Sequence, residues 1–418
     1  MTSHSNYLAI MTGPHSDIKT AVVDLLLSLS PASCNVDLIP VLLSSYTASL
    51  QSSDRLLLTL LSRYESMAGV ELSPYQPLVW GSTAVQHYNN NNSSAWSQIK
   101  CSEILGLLDP AIMRRTCDKF PLYLQLDPEA EVDNDSIEDA TVYDPRFLLP
   151  VLSYLLTSDV FIDKHMKFLE VGALNLAFSS LSSKDHHMRS AGYHVLAKLN
   201  SALLSAKLNQ EKQIWTHVIS LLRLGVVTSN LTRGGRVSSL ITQYLCKTVD
   251  TLLSPVSPMY KTVSKSILAK PYLELGTIPE FQRLIAGDKT ELRWLLENIS
   301  VGVRDSRDYS VCARSNMVKL LCCIADGRMV DRAECLLVMD IILACVTTNY
   351  GCVDLVTRHG VLTWCQAVVT REKVDIAYIR KIITITKTVV ETAARIDNNK
   401  MSNNATAEGQ DDGITKVK

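Results

Sequence analysis

The stretch from Ser182 to Leu199, SSKDHHMRSAGYHVLAKL, decides how this chain is read, because it holds His186, His187 and His194, three of the nine histidines. A metal-centred enzyme and a packed helix make different demands on it. Met188, Ala191, Gly192, Val195, Leu196 and Leu199 recur every three or four positions, which puts them on one stripe of an α-helix. Ser183 is placed to cap that helix. His187 and His194 are then two turns apart, about 10.5 Å along the axis. Ligands of one zinc ion lie at about 2 Å from it, and a zincin brings its histidines together at positions i and i+4 of H-E-x-x-H. The spacing therefore predicts boundary or surface histidines beside a packed stripe.

The same periodicity extends outward in both directions. LEVGALNLAFSSL precedes the stretch as another helix, and TELRWLLENISVGV, CARSNMVKLLCCIAD and RAECLLVMDIILACVTT follow. RKIITITKTVVETAA is rich in β-branched residues, which favour strands. Its Ile379, Ile382, Ile383, Thr386, Val390 and Ala393 nevertheless share a helical face, and it reads as a helix. A faint internal repeat is visible: LEVGALNLAFSSLSSKD from Leu169 aligns with TRHGVLTWCQAVVTREK from Thr357, pairing Gly172 with Gly360 and Leu174 with Leu362. In each, a small helix follows the glycine, then a short polar turn, then another helix. Units of that kind bury their apolar faces only by stacking. The expected fold is all-α, an armadillo/HEAT-like helical-repeat solenoid.

Breaks in the pattern divide the chain into four parts. Residues 1–126 form an N-terminal helical segment interrupted by the Asn-rich loop HYNNNNSS. Residues 127–142 carry seven carboxylates and no Lys or Arg, an acidic, apolar-poor insertion that reads as a disordered linker. Residues 143–395 hold the helical repeats, and 396–418 form a polar tail expected to be disordered.

Lys plus Arg number 41 against 42 Asp plus Glu, so no global field draws the chain to nucleic acid or membrane. The N-terminus has no secretory pattern, and CLLVMDIILACV is short and broken by Asp340, which argues against a membrane span. Eleven cysteines at irregular spacing, with no C-x-x-C pair, read as reduced core residues rather than zinc ligands. P-loop, dinucleotide-binding and nucleophile-elbow signatures are all missing. The expectation is a protein that is not an enzyme, with no catalytic residues, cofactor or metal. Two basic features stand out. Arg233-Gly-Gly-Arg236 reads as a basic turn between helices. Lys373, Arg380 and Lys387 form a short stripe on one flank of the last helix, open to RNA or to an acidic partner.

Six phrases then occur in order: SPYQPLVWGSTAVQHY, EILGLLDPAIMRRTCDKFP, YDPRFLLPVLSYLL, FLEVGALNLAFSSLSSKDHHMRSAGYHVLAKL, PMYKTVSKSILAKPYLELGTIPEF and GVLTWCQAVV. Together they resemble the C-terminal region of the nucleolar pre-ribosomal-associated family, the Urb/Npa-type ribosome-biogenesis scaffolds. The resemblance covers most of residues 50 to 370. It implies a non-enzymatic nucleolar scaffold in early large (60S) subunit assembly and pre-rRNA processing. Implied partners are a second Urb-type helical scaffold and a DEAD-box RNA helicase of the pre-60S particle, with contact to pre-rRNA or snoRNA. It also implies a longer array, most of it N-terminal to this region. The rival reading is an armadillo-type adaptor working outside the nucleolus.

Overall fold

The computed structural model describes residues 6–30, 34–67, 101–130, 138–156, 165–205, 210–229, 234–327, 330–370 and 375–411, with residues 69, 72, 80, 81, 84 and 231. Among the described residues every regular element is helical, and the one β-bridge is an isolated antiparallel pairing of Ser49 with Tyr143. The chain separates into two compact units, Met1–Val237 with Thr248–Leu253, and Ser238–Lys247 with Ser254–Lys418.

The first unit opens with α1 (Tyr7–Thr12), α2 (Asp17–Ser28), α3 (Ile39–Ser45) and α4 (Ser52–Ser66). It continues with α5 (Cys101–Leu107), α6 (Pro110–Asp118), α7 (Pro145–Leu155) and α8 (His165–Glu170), and closes with α9 (Ala173–Ser180), α10 (His186–Ser205) and α11 (Gln210–Thr228). The acidic run is not a free linker where it is described. Glu129 pairs with Arg63 at 3.2 Å and Asp139 with Lys119 at 2.8 Å. Hydrogen bonds to Lys119 and Thr141 bring the Asp139 carboxyl down to about 2. Tyr143 follows directly, its N–H donating to Thr116 Oγ1 and its hydroxyl accepting from the Asp109 N–H. These anchors join described residues on both sides of the run within the unit Met1–Val237. Ion-paired and hydrogen-bonded carboxylates are held in place while staying ionised, which composition alone could not reveal. Residues 131–137 and the Asn-rich loop around Asn90 lie outside the described residues.

Helix α10 crosses α9 closely because of Gly192. A Cβ there would stand 1.9 Å from Ser180 Oγ and 3.1 Å from the Ala177 carbonyl. The hydroxyl could rotate away, but the carbonyl belongs to α9 itself. Gly192→Val should therefore cost about 2–3 kcal/mol by overpacking, read as a lower melting temperature by circular dichroism. An unchanged melting temperature would show that the two helices can separate without cost.

The second unit contains α13 (Tyr260–Ala269), α14 (Phe281–Ile285), α15 (Lys289–Gly302), α16 (Ser306–Arg314) and α17 (Met317–Asp326). It ends with α18 (Arg332–Val346), α19 (Asn349–Thr357), α20 (Val361–Val369) and α21 (Ile376–Asp411). Helix α12 (Ser239–Leu253) contributes its first part here and its last to the first unit. The longer helices stack in series, α15 on α18 and α18 on α21, and α16 packs on α19. Stacking of successive helices is how a helical solenoid buries its apolar faces.

A backbone signature accompanies the stacking. Gly172 (φ +79°) and Gly360 (φ +60°), the two glycines paired in sequence, both stand in the left-handed region immediately before a short helix, α9 and α20. Glu280 (φ +57°) before α14 and Asn316 (φ +50°) before α17 do the same. Each turn leads through its short helix to a longer one, α10, α15, α18 or α21. The sequence exposes only the two glycine cases, because the geometry, not the residue type, recurs. Asn adopts left-handed backbone readily and Glu does so under strain.

The face assigned to the last helix needs correction. Its buried residues are Ile382, Ile385, Val389 and Thr392, whereas Ile383 and Val390 are exposed. Apolar residues occur on two sides of α21, so periodicity fits either, and packing against α18, α19 and α20 selects one. Beyond residue 396 the backbone stays helical through Asp411. Once nucleated, a helix gains one hydrogen bond per added residue, and Lys400, Met401, Ala405 and Glu408 are good helix formers. Residues 412–418 lie outside the described residues. Among the described residues no single helix is long and apolar enough to cross a membrane, while α18 and α19 pass only as a pair bent by 113°.

Candidate interaction surface

The three histidines are exposed, as their spacing requires. Among the described residues no cluster of His, Cys, Asp or Glu is arranged to hold a metal ion. The helix cap is Asp185 instead of Ser183. The Asp185 carboxylate accepts from the N–H groups of His187 (3.3 Å) and Met188 (2.9 Å), and from Leu126 N–H at 2.9 Å. Partial burial alone would raise its pKa, but these N–H donors hold it below the usual carboxylate value. Ser183 Oγ serves one step earlier, accepting from Asp185 N–H.

The exposed side of α10 has a distinct task. Arg189 Nε donates to the Gly234 carbonyl at 2.8 Å, and the Tyr193 hydroxyl donates to the Gly235 carbonyl at 2.9 Å. A Cβ on Gly234 (φ +74°) would come within 3.0 Å of His186 Nε2. Arg236 Nε donates to the Ser182 carbonyl at 2.6 Å, and Val237 N–H to the Leu181 carbonyl at 3.0 Å. The histidine stretch and the double-glycine turn, separate puzzles in the sequence, are two halves of one contact. Gly234 supplies the left-handed backbone of this turn, and a Cβ there would press on the His186 ring.

Beside that turn, a groove of about 860 Å³ runs between α10 and α11. Its lining includes Tyr193, Leu196, Ala197, Ile219 and Val226, with His194 and Arg223 among its polar members. Leu224 and Val227 of α11 and Leu204 of α10 add exposed apolar surface. Charge is one-sided here. From His186 to Val237 the chain carries seven Lys and Arg, four His and one carboxylate, Glu211. A near-zero total charge concealed this segment; a count in a sliding window would have found it.

Two of the three stripe cations on the last helix lie among the described residues. Lys373 lies outside the described residues. Arg380 and Lys387 are exposed on α21, but Lys387 pairs with Glu391 at 3.6 Å. The intervening Lys381 is bound to Asp340 of α18. Carboxylates interleaved with the cations lower the field that a phosphate would meet.

The cysteines behave as core residues. Ten are free thiols, most of them buried. Burial pushes Cys345 and Cys322 up to about 12 and Cys365 up to about 11. At neutral pH these groups stay protonated, and a protonated thiol is a poor nucleophile and metal ligand.

Comparison with known proteins bears out the resemblance seen in the sequence. The model of the family described as "Nucleolar pre-ribosomal-associated protein 1" matches residues 174–364, from within α9 into α20. The chain is 29% identical to nucleolar pre-ribosomal-associated protein 1 of Mus musculus, an alignment covering 93% of this chain and 18% of the mouse protein. With the protein of the same name from Homo sapiens the identity is 28%, over 90% of this chain and 17% of the human protein. The chain thus spans under one fifth of the length of these relatives. No solved structure matches it.

Proposed function

We propose that this chain, similar along residues 174–364 to the nucleolar pre-ribosomal-associated protein 1 family, is a non-enzymatic nucleolar scaffold in early 60S subunit assembly and pre-rRNA processing. The observation that carries this reading is the family match, which runs through the stacked helices of both units. Its relatives are named as nucleolar and pre-ribosomal-associated, and a role in ribosome biogenesis in the nucleus is common ground with them. Helix rows present broad surfaces with little chemistry of their own, which suits holding other macromolecules in place. The partners proposed are a second Urb-type helical scaffold and a DEAD-box RNA helicase, with local contact to pre-rRNA or snoRNA. Balanced overall charge points to attachment chiefly through proteins.

The test is localisation together with sedimentation. The tagged chain should concentrate in the nucleolus and co-sediment with pre-60S particles. That association should persist from low to moderately raised salt, whereas binding through phosphate contacts alone would fall steeply by counterion release. Recovery only from cytosolic fractions, with no crosslinked pre-rRNA, would favour the adaptor outside the nucleolus.

A further inference from the structure

We infer that the groove between α10 and α11 is a docking site for an acidic amphipathic helix supplied by a protein partner. Three observations bear on the occupant. First, the floor is aliphatic, built from Leu196, Ala197, Ile219 and Val226. Such a floor takes the apolar residues that a helix presents at i, i+3/i+4 and i+7. Second, Leu224 and Val227 extend this surface outward, Val227 being 65% exposed. Soluble proteins seldom leave adjoining apolar side chains uncovered beside a cleft without a partner for them. Third, the surrounding segment is predominantly basic. His186–Val237 contains seven Lys and Arg against Glu211 alone, and Glu211 stands at the start of α11. Arg223 and His194 line the groove itself. The Arg223 charge complements carboxylates flanking an apolar helix face and would repel a basic one.

The same charge could attract RNA, but the lining favours a peptide. Single-stranded nucleic acid is held by bases stacking on exposed aromatic faces. The lining aromatic is Tyr193, half-buried and tied by its hydroxyl to Gly235. Aliphatic side chains give bases no such platform, whereas they match Leu, Ile or Val on a helix.

The experiment is selection of a phage-displayed library of random 16-residue peptides on the full chain, with a parallel selection on Val227→Glu. Val227 is exposed, and circular dichroism would verify that the variant folds. Enriched peptides should carry apolar residues at helical spacing with Asp or Glu on the flanks. By fluorescence anisotropy, the best of them should bind at least tenfold more weakly to Val227→Glu and about fivefold more weakly to Arg223→Ala. A twelve-nucleotide uridine RNA should bind more weakly than the peptide. No enrichment, enrichment of basic or uncharged peptides, or binding indifferent to Val227→Glu would overturn the proposal. So would tight RNA binding that needs Arg223 and ignores Val227, which would make the surface a nucleic-acid site. None of these outcomes bears on the nucleolar reading, which localisation and sedimentation decide separately.

Discussion

Asp144→Ala is expected to destabilise the first unit by about 3–5 kcal/mol, the usual cost of removing one partner from a buried ion pair. Asp144 and Arg146 are the polar centre of the phrase YDPRFLLP. Their side chains are 0% and 2% exposed. The Asp144 carboxylate caps α7 by accepting Arg146 N–H at 2.9 Å and also accepts from the guanidinium through Nε and Nη2, the latter at 2.6 Å. Its own N–H donates to the Ala48 carbonyl at 2.7 Å, beside the Ser49–Tyr143 bridge. Removing the carboxylate strands a buried guanidinium and uncaps the helix together. Urea unfolding monitored by circular dichroism measures the loss. Replacing both residues, Asp144→Asn with Arg146→Met, should cost less than Asp144→Ala, because no unpaired charge remains inside. A loss below about 1 kcal/mol for the single substitution would mean that water reaches Arg146 and the pair is not truly enclosed.

The second large effect is expected at Asp308 in the other unit. This carboxylate is fully buried. Oδ1 accepts from Ser238 Oγ at 2.7 Å and Ser239 N–H at 2.8 Å, and Oδ2 from the N–H groups of Arg304 and Asp305 at 3.1 and 3.2 Å. It thereby ties the start of α12 to the turn between α15 and α16, where Asp305 and Asp308 also form a reciprocal capping box. Asp308→Ala leaves three backbone donors without an acceptor, at about 1–3 kcal/mol each, so about 4 kcal/mol is expected. Asp308→Asn keeps the volume but offers one oxygen, and should fall between the wild type and the alanine variant. If Asp308→Asn equalled the wild type, volume and not hydrogen bonding would be what the site requires.

Both sites show why part of the molecule was legible in the sequence and part was not. YDPRFLLP was visible as a phrase, yet nothing in its spacing says that Asp144 and Arg146 are enclosed together. That depends on residues near Ala48, almost a hundred positions earlier. Asp308 looked like one acid among many, since its acceptor role requires Ser238, some seventy positions away. The acid-poor segment from His186 to Val237 is different. It was present in the sequence and was hidden by averaging charge over the whole chain.

The one-dimensional pattern determined the helical class, the two-turn separation of His187 and His194, and the family resemblance. All three depend on spacing within a few turns or on the order of phrases, and helix geometry makes such distances calculable without a fold. Tertiary structure alone decided which side of α21 is buried, because Ile382 and Ile383 are equally apolar and only packing against α18, α19 and α20 distinguishes them. It alone revealed that Glu280 and Asn316 take the backbone conformation of Gly172 and Gly360, since φ is imposed by the helices on either side as well as by the residue. It also brought His186, Arg189 and Tyr193 against Gly234 and Gly235 and opened the groove beside them. That contact spans more than forty residues and comes from the packing of α10 on its neighbours, which no local periodicity encodes.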